Sequence, residues 1–90
     1  MDNGNSAVAV TATAANIDVT IGGFGAHKLV ISNTGDTNYV FAKCNATATA
    51  AAGSIPIAKG TSIEVDGYIK SVSVVCGSAK NSTIDWYSLA

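Results

Sequence analysis

Short alternations of apolar and polar residues recur along the chain and predict β-strands. Ile17, Val19 and Ile21 take alternate positions in one segment, and Leu29 and Ile31 do so in another. Side chains spaced in this way point to one face of a strand, which can then be buried. No stretch has the 3.6-residue periodicity of an amphipathic helix. The predicted strands are 6–13, 16–21, 27–32, 39–44, 54–57, 62–66, 69–76 and 83–89.

Seven or eight short strands separated by turn residues predict an all-β fold, a small antiparallel β-sandwich of the jelly-roll or immunoglobulin-like kind. The Asn, Gly and Asp residues of 33–36 are typical of a turn, so 27–32 and 39–44 are expected to form a hairpin. A second hairpin is expected between 69–76 and 83–89. The Ala/Thr-rich segment that follows Cys44 is expected to be an extended or looping connection, and Gly67 is expected in a turn.

The length of 90 residues fits one domain. Much of the 48% hydrophobic fraction is Ala, so large core side chains are scarce and a small domain of this kind is marginally stable. We therefore expect the protein to form a homo-oligomer or to dock on a larger body. Residues 1–15 are predicted to be a flexible N-terminal arm that becomes ordered on docking, and residues 16–90 to form the sandwich.

Charge is sparse at 12%, the net charge is −1, and the five basic residues are scattered lysines. Nucleic-acid binding normally requires clustered Arg and Lys, so nucleic acid is not an expected partner. No apolar run approaches the roughly 20 residues of a membrane span, and the N-terminus lacks the features of a signal peptide. We expect synthesis in the cytoplasm and no membrane partner.

The two cysteines, Cys44 and Cys76, lie in apolar strand patterns. One interpretation is that both are reduced and buried, because free Cys behaves as a small hydrophobic residue and the cytoplasm is reducing. The other is a single disulfide, which the pattern alone leaves open. Their spacing fits no metal site.

The sequence gives little support to catalysis. His27 is the sole histidine, and no Gly-x-Ser-x-Gly motif accompanies it, so we expect neither an enzyme nor a cofactor. Glu64 and Asp66 share one strand face, where they could act as an acid–base pair or bind Ca²⁺, but a solvated outer face explains them more simply. Residues 22–25 are Gly-rich, but no helix follows to form a phosphate site, so they predict a turn.

Aromatic residues are the candidates for partner binding. Trp86 and Tyr87 must point to opposite faces of their strand, and so must Tyr39 and Val40. Assigning Val40 and Trp86 to the core leaves Tyr39 and Tyr87 exposed or in an interface, where tyrosine is enriched. In the alternative interpretation, Trp86 and Phe41 are core and the tyrosines cap sheet edges.

One set of segments within residues 29–89 carries a resemblance to known proteins: Leu-Val-Ile-Ser-Asn-Thr-Gly at 29–35, Tyr-Val-Phe at 39–41, Ile-Pro-Ile at 55–57, Ile-Glu-Val at 63–65, Ser-Val-Ser-Val-Val-Cys at 71–76 and a last strand with Thr83. In this order they resemble small virion proteins of tailed phages, of the head decoration (cement) type. The resemblance implies a bacteriophage structural protein on the capsid surface of the virion, where it binds the major capsid protein and stabilises the head.

A carbohydrate- or receptor-binding module of a phage tail or fibre is the alternative function. Exposed aromatic residues that line a groove favour the alternative, whereas flat apolar patches favour capsid docking.

Overall fold

The computed structural model describes residues 2–51 and 53–90, and this part of the chain is all-β, without a helix. It confirms the predicted small β-sandwich. The eight strands of the described residues are Asp2–Val10 (β1), Ala15–Asp18 (β2), Ala26–Asn33 (β3), Val40–Cys44 (β4), Ile55–Ile57 (β5), Ser62–Ile69 (β6), Ser71–Val75 (β7) and Ser82–Leu89 (β8).

The strands form two antiparallel sheets of four strands each. The front sheet has the order β1-β8-β3-β6, and the back sheet has the order β2-β7-β4-β5. The pairs are nested along the chain: β4 with β5, β3 with β6, β2 with β7 and β1 with β8. A long antiparallel hairpin wrapped into two sheets in this way is a jelly roll. The topology therefore decides against the immunoglobulin-like arrangement.

Both predicted hairpins are wrong. β3 pairs with β6 and β8 in the front sheet, whereas β4 pairs with β5 and β7 in the back sheet. The turn at 33–36 is therefore a corner between sheets, and the link from β7 to β8 also crosses between them. Alternation predicts a buried face, but both sheets bury such a face, so the pattern does not identify the partner strand.

A single core lies between the two sheets. Leu29 and Ile31 point into it and are fully buried, as predicted, and Val40 and Trp86 are buried as well. The main core cluster consists of Val10, Val19, Leu29, Ile31, Val40, Ala42, Ile57, Ile69, Val72, Val74, Cys76, Ile84 and Trp86.

The N-terminal segment is part of the front sheet. β1 pairs with β8 from Asp2 opposite Leu89 to Val10 opposite Ser82, with a bulge between Asn5 and Val8. Val10 is 1% exposed and belongs to the core. A boundary at residue 15 therefore does not separate an unpaired arm from the sandwich. That this segment is flexible before docking and becomes ordered on docking stays a prediction.

Gly67 and the connection after β4 were both assigned from the sequence, with different outcomes. Gly67 lies within β6 with a φ of 148°, not in a turn, because β6 continues to Ile69. In its described residues, the connection from β4 to β5 is a loop, as expected, and Ala52 lies outside the described residues. Its Ala48 is buried, and the Ala48 N–H donates to Ser73 Oγ at 2.9 Å on the outer side of the back sheet.

Candidate binding surfaces

Tyr87 stands on the outer face of the front sheet. Ile84, Trp86 and Ser88 of the same strand point inward and are buried, so Tyr87 points outward and is 48% exposed. Its neighbours across the sheet are Gly4 on β1 and Val30 on β3. An aromatic ring therefore lies between a glycine on one neighbouring strand and a valine on the other.

A shallow groove of about 560 Å³ runs beside this ring, lined by Gly4, Asn5, Ser6, Ser32, Asp85, Trp86 and Tyr87. A Cβ atom on Gly4 would lie 2.8 Å from the Trp86 carbonyl oxygen and 3.1 Å from Tyr87 Cβ, so the close approach of β1 requires glycine. The bulge next to it places Ala7 at a φ of 54°, and the Ala7 N–H donates to Asp85 Oδ1 at 2.8 Å. Asp85 thus holds the bulge that borders the groove.

Charged residues lie on the other side of Tyr87. Lys28 Nζ is 2.8 Å from Glu64 Oε1 and 3.8 Å from Asp66 Oδ1. The hydrogen bond with Glu64, and then the charges of Glu64 and Asp66, raise the pKa of Lys28. Both carboxylates are exposed, so Glu64 and Asp66 lie on a solvated outer face, as predicted. Ion pairs in such an exposed position add little to stability.

Tyr39 lies on the outer side of the back sheet, directly before β4, and is 54% exposed. Its ring stacks on Phe41, with 6.3 Å between the ring centroids and 27° between the planes. Phe41 is half-buried between Pro56 and Val75 of the neighbouring strands. The interpretation that placed Phe41 in the core is therefore wrong, because Val40 takes the inward position.

The stacked rings border a cavity of about 250 Å³, lined by Thr37, Asn38, Tyr39, Phe41, Ala50, Gly77 and Lys80. We refer to it as the Tyr39 cavity. A second hollow of about 210 Å³ shares Thr37 and Asn38 with it and continues over Asp36 and Asn81. Polar side chains surround the aromatic floor, as in many small-ligand sites.

The structure does not bring Tyr39 and Tyr87 together. Tyr87 lies in the front sheet and Tyr39 directly precedes β4 of the back sheet; each points away from the shared core, so they belong to opposite outer faces. Each therefore belongs to a separate candidate surface. The contribution of Gly4 to the Tyr87 surface was missed, because residues 1–15 were interpreted as an arm.

Two further exposed aromatic residues, Phe24 and Tyr68, belong to the Gly-rich turn or lie against it. Phe24 is 72% exposed in the predicted turn of residues 22–25. The ring of Tyr68 covers Gly25, where a Cβ atom would approach ring atoms to 2.8 Å, and Lys70 Nζ lies 5.8 Å from the ring centroid. The Gly-rich turn therefore packs on an aromatic ring.

Comparison with known proteins gives no family: no family model matches the chain, and no curated protein matches it. Within residues 2–51 and 53–90, His, Cys, Asp and Glu side chains form no group of three that could hold a metal ion. The same part of the chain has no helix long and apolar enough to cross a membrane. The exposed surfaces are therefore the basis for proposing a function.

Proposed function

We propose that the protein is a bacteriophage capsid decoration protein that docks the outer face of its front sheet on the major capsid protein lattice. The observation that supports this proposal is the position of Tyr87 beside Gly4 of β1. The two features predicted to dock, an exposed tyrosine and the N-terminal segment, form one surface. The resemblance of residues 29–89 to head decoration proteins supplies the class of partner.

The residues around Tyr87 suit a protein–protein contact. Tyr87 and the half-buried Val30 are at the centre, while Lys28, Glu64 and Asp85 lie further out. A central aromatic anchor enclosed by polar residues is the common arrangement of binding hot spots. With a net charge of −1, the protein relies on buried area, and its affinity should depend little on salt.

Docking of this kind stabilises the head by mass action. A protein that binds the assembled lattice and not the free subunits lowers the free energy of the assembled state. Contacts with neighbouring capsid subunits, made by a homo-oligomer, increase the area buried at each lattice joint.

Co-sedimentation with assembled capsids tests the proposal. Tyr87→Ala should leave the fold intact and lower binding by about 1–3 kcal/mol, a 5- to 150-fold loss of affinity. Tyr39→Ala is the matched control, because it removes a similarly exposed tyrosine from the opposite face. A Tyr87→Ala protein that saturates capsids like the wild type would overturn the docking surface. Failure of the wild type to bind capsids would overturn the function itself.

The alternative, a carbohydrate-binding module of a tail or fibre, is favoured by one observation, the stacked Tyr39–Phe41 pair beside a cavity. The position of the protein on the virion separates the two functions. Gold-labelled antibody should mark the head if the decoration proposal is correct, and labelling confined to the tail contradicts it.

A further inference from the structure

The floor of the Tyr39 cavity is built for a flat, partly apolar ligand. Tyr39 and Phe41 are stacked, and Phe41 lies between its cross-strand partners Pro56 and Val75. The stacked pair offers an aromatic surface against which the apolar face of a sugar ring can pack. The volume of about 250 Å³ is below the roughly 300–1,000 Å³ of drug-sized ligand pockets, so one ring is the size it suits.

The loop that forms the wall is held in place by Asn33, which is only 1% exposed. Asn33 Nδ2 donates to the carbonyl oxygens of Asn38 at 2.8 Å and Ile57 at 2.9 Å. Its Oδ1 accepts from Gly35 N at 3.2 Å and Ser82 Oγ at 2.7 Å. One buried amide therefore joins β3, β5 and β8 to the loop. A wall fixed before binding loses less conformational entropy when a ligand is bound.

The polar groups of the cavity define the chemistry of the ligand. Asn38 Nδ2 donates to the Asn81 carbonyl oxygen at 2.8 Å, and Thr37 Oγ1 donates to Asp36 Oδ1 at 3.0 Å, so each side chain keeps an oxygen atom that can accept a further hydrogen bond. Lys80 is the one charged residue among those that line the cavity. Within the described residues, no carboxylate lies within 4.0 Å of Lys80 Nζ. The cavity thus combines an aromatic floor, neutral side-chain acceptors and one lysine without an ion-pair partner, while the Asp36 carboxylate lines the neighbouring hollow.

We infer that the Tyr39 cavity binds a sugar residue that carries a carboxylate, as in uronic acids and other acidic sugars. The ring stacks on Tyr39 and Phe41, and the carboxylate accepts a charge-assisted hydrogen bond from Lys80 Nζ. Thr37 and Asn38 bind the hydroxyl groups. The site does not depend on capsid docking, because it lies on the back sheet, away from Tyr87. A decoration protein could therefore hold the capsid with one face and an acidic glycan with the other.

Titration of ¹⁵N-labelled protein with oligogalacturonate, and with the neutral oligogalactose of the same length, tests the inference. We expect shifts of the amide signals of Thr37, Asn38, Tyr39 and Lys80, and affinity for the acidic oligomer at least about tenfold higher than for the neutral one, a difference of ~1.4 kcal/mol. Raising the ionic strength should reduce this preference. Absence of shifts with either oligomer, or equal affinity for both, would overturn it.

Variants localise the site. Lys80→Gln should abolish the preference for the acidic oligomer while the shifts at Tyr39 remain, and Tyr39→Ala should reduce the affinity for both oligomers by tenfold or more. Tyr39→Phe, which keeps the stacked ring, should bind like the wild type. Tyr87→Ala should also bind normally, so loss of sugar binding and loss of capsid binding are separable. Unchanged binding by Tyr39→Ala, or loss of binding in Tyr87→Ala, places the ligand elsewhere and contradicts the inference.

Discussion

Gly4 lies directly opposite Tyr87 in the pairing of β1 with β8, and the phenol ring has no side chain beside it on that strand. A Cβ atom on Gly4 would come within 2.8 Å of the Trp86 carbonyl oxygen and 3.1 Å of Tyr87 Cβ. Because the first of these atoms is backbone, it cannot move without shifting β8. Glycine at position 4 thus lets β1 approach β8 closely and leaves the ring of Tyr87 without a neighbouring side chain on β1.

Gly4→Ala is therefore expected to lower the free energy of unfolding by about 1–2 kcal/mol, the range of a local backbone displacement. Urea denaturation followed by circular dichroism measures it. Gly77→Ala is the matched control, since a Cβ atom there would meet only Lys80 Cδ at an ordinary 3.6 Å. The control should stay within about 0.5 kcal/mol of the wild type. Equal effects of the two substitutions would show that β1 and β8 are not in close contact.

The two cysteines should differ in reactivity and should form no bridge within the chain. Cys44 lies opposite Val72, and Cys76 is four residues beyond Val72, which places it about 14 Å from Val72 at ~3.4 Å per residue. A disulfide requires Cα atoms within about 7 Å. Cys76 is buried as expected, but Cys44 is half-buried, so the expectation of two buried thiols is wrong for Cys44.

Burial raises the pKa of both thiols, so little thiolate is present at neutral pH and labelling should accelerate as the pH rises. A thiol reagent should modify native protein in two phases, the faster at Cys44. Cys44→Ser should remove the fast phase, and Cys76→Ser should leave it. Denatured, unreduced protein should show both thiols free, and a missing thiol would contradict the separation of the two cysteines.

Local sequence patterns predict which segments are strands and which of their side chains are buried, but not how the strands pair. A period of two identified β3 and β8, and it placed Leu29, Ile31 and Trp86 inward, because burial of one strand face requires that spacing. It did not identify partner strands, because pairing depends on residues far apart in the chain. β1 was also placed too late, since its backbone pairs with β8 without needing large side chains.

The candidate surfaces show the same division. Exposure of Tyr39 and Tyr87 follows from strand alternation and is confirmed. The roles of Gly4 and Asn33 could not be predicted from strand alternation. Their partners, Tyr87 and Ser82, are distant in sequence and contact them only in the folded chain. A buried Asn at the end of an apolar strand is nevertheless unusual, because such a group must be fully hydrogen-bonded, and it indicates a fixed loop.

Trp86 offers a test of the core. It is 6% exposed, and its Nε1–H has no hydrogen-bond partner among the described residues. A buried donor without a partner costs about 1–3 kcal/mol, so Trp86→Phe, which removes the donor and leaves a small void, should change stability by less than about 1 kcal/mol. Trp86→Ala should cost about 3–5 kcal/mol. Circular dichroism must follow unfolding, because the substitution removes the tryptophan fluorescence. If Trp86→Phe destabilises the protein as much as Trp86→Ala does, the indole N–H has a hydrogen-bond partner in solution.

Asp18 gives the stability of the β2–β3 connection a dependence on pH. Hydrogen bonds from Thr20 Oγ1 at 2.6 Å and Thr20 N at 2.9 Å lower the pKa of Asp18. Since the pKa is depressed in the folded state, the stabilisation is present above the unfolded value of about 3.9 and is lost as the pH falls through the folded value. Asp18→Ala should therefore be less stable than the wild type at pH 7, by a small margin because the site is exposed.

The difference between the two proteins should shrink steadily below about pH 4, where the wild-type carboxylate becomes protonated. Thermal melts at pH 7, 4 and 2.5 would follow it. Asp36→Ala, which alters an exposed carboxylate on another loop, serves as the control. A difference that is constant across this range would mean that the Asp18 carboxylate is not the stabilising group.

Truncation of β1 separates docking from folding. Removal of residues 2–5 deletes Gly4 and Asn5 from the Tyr87 groove but leaves Val8 and Val10 in place, so the sandwich should stay folded and capsid occupancy should fall. Removal of residues 2–15 also deletes Val10 from the core and exposes the edge of β8. Loss of this core contact alone should cost about 2 kcal/mol or more, so the longer truncation should be clearly less stable in urea than the shorter one.

Val10→Ala in the full chain, tested alongside, should reproduce part of this loss and leave docking unchanged. If both truncations are as stable as the full chain, β1 does not pack on the sandwich in solution, and the segment is the flexible arm that the sequence predicts.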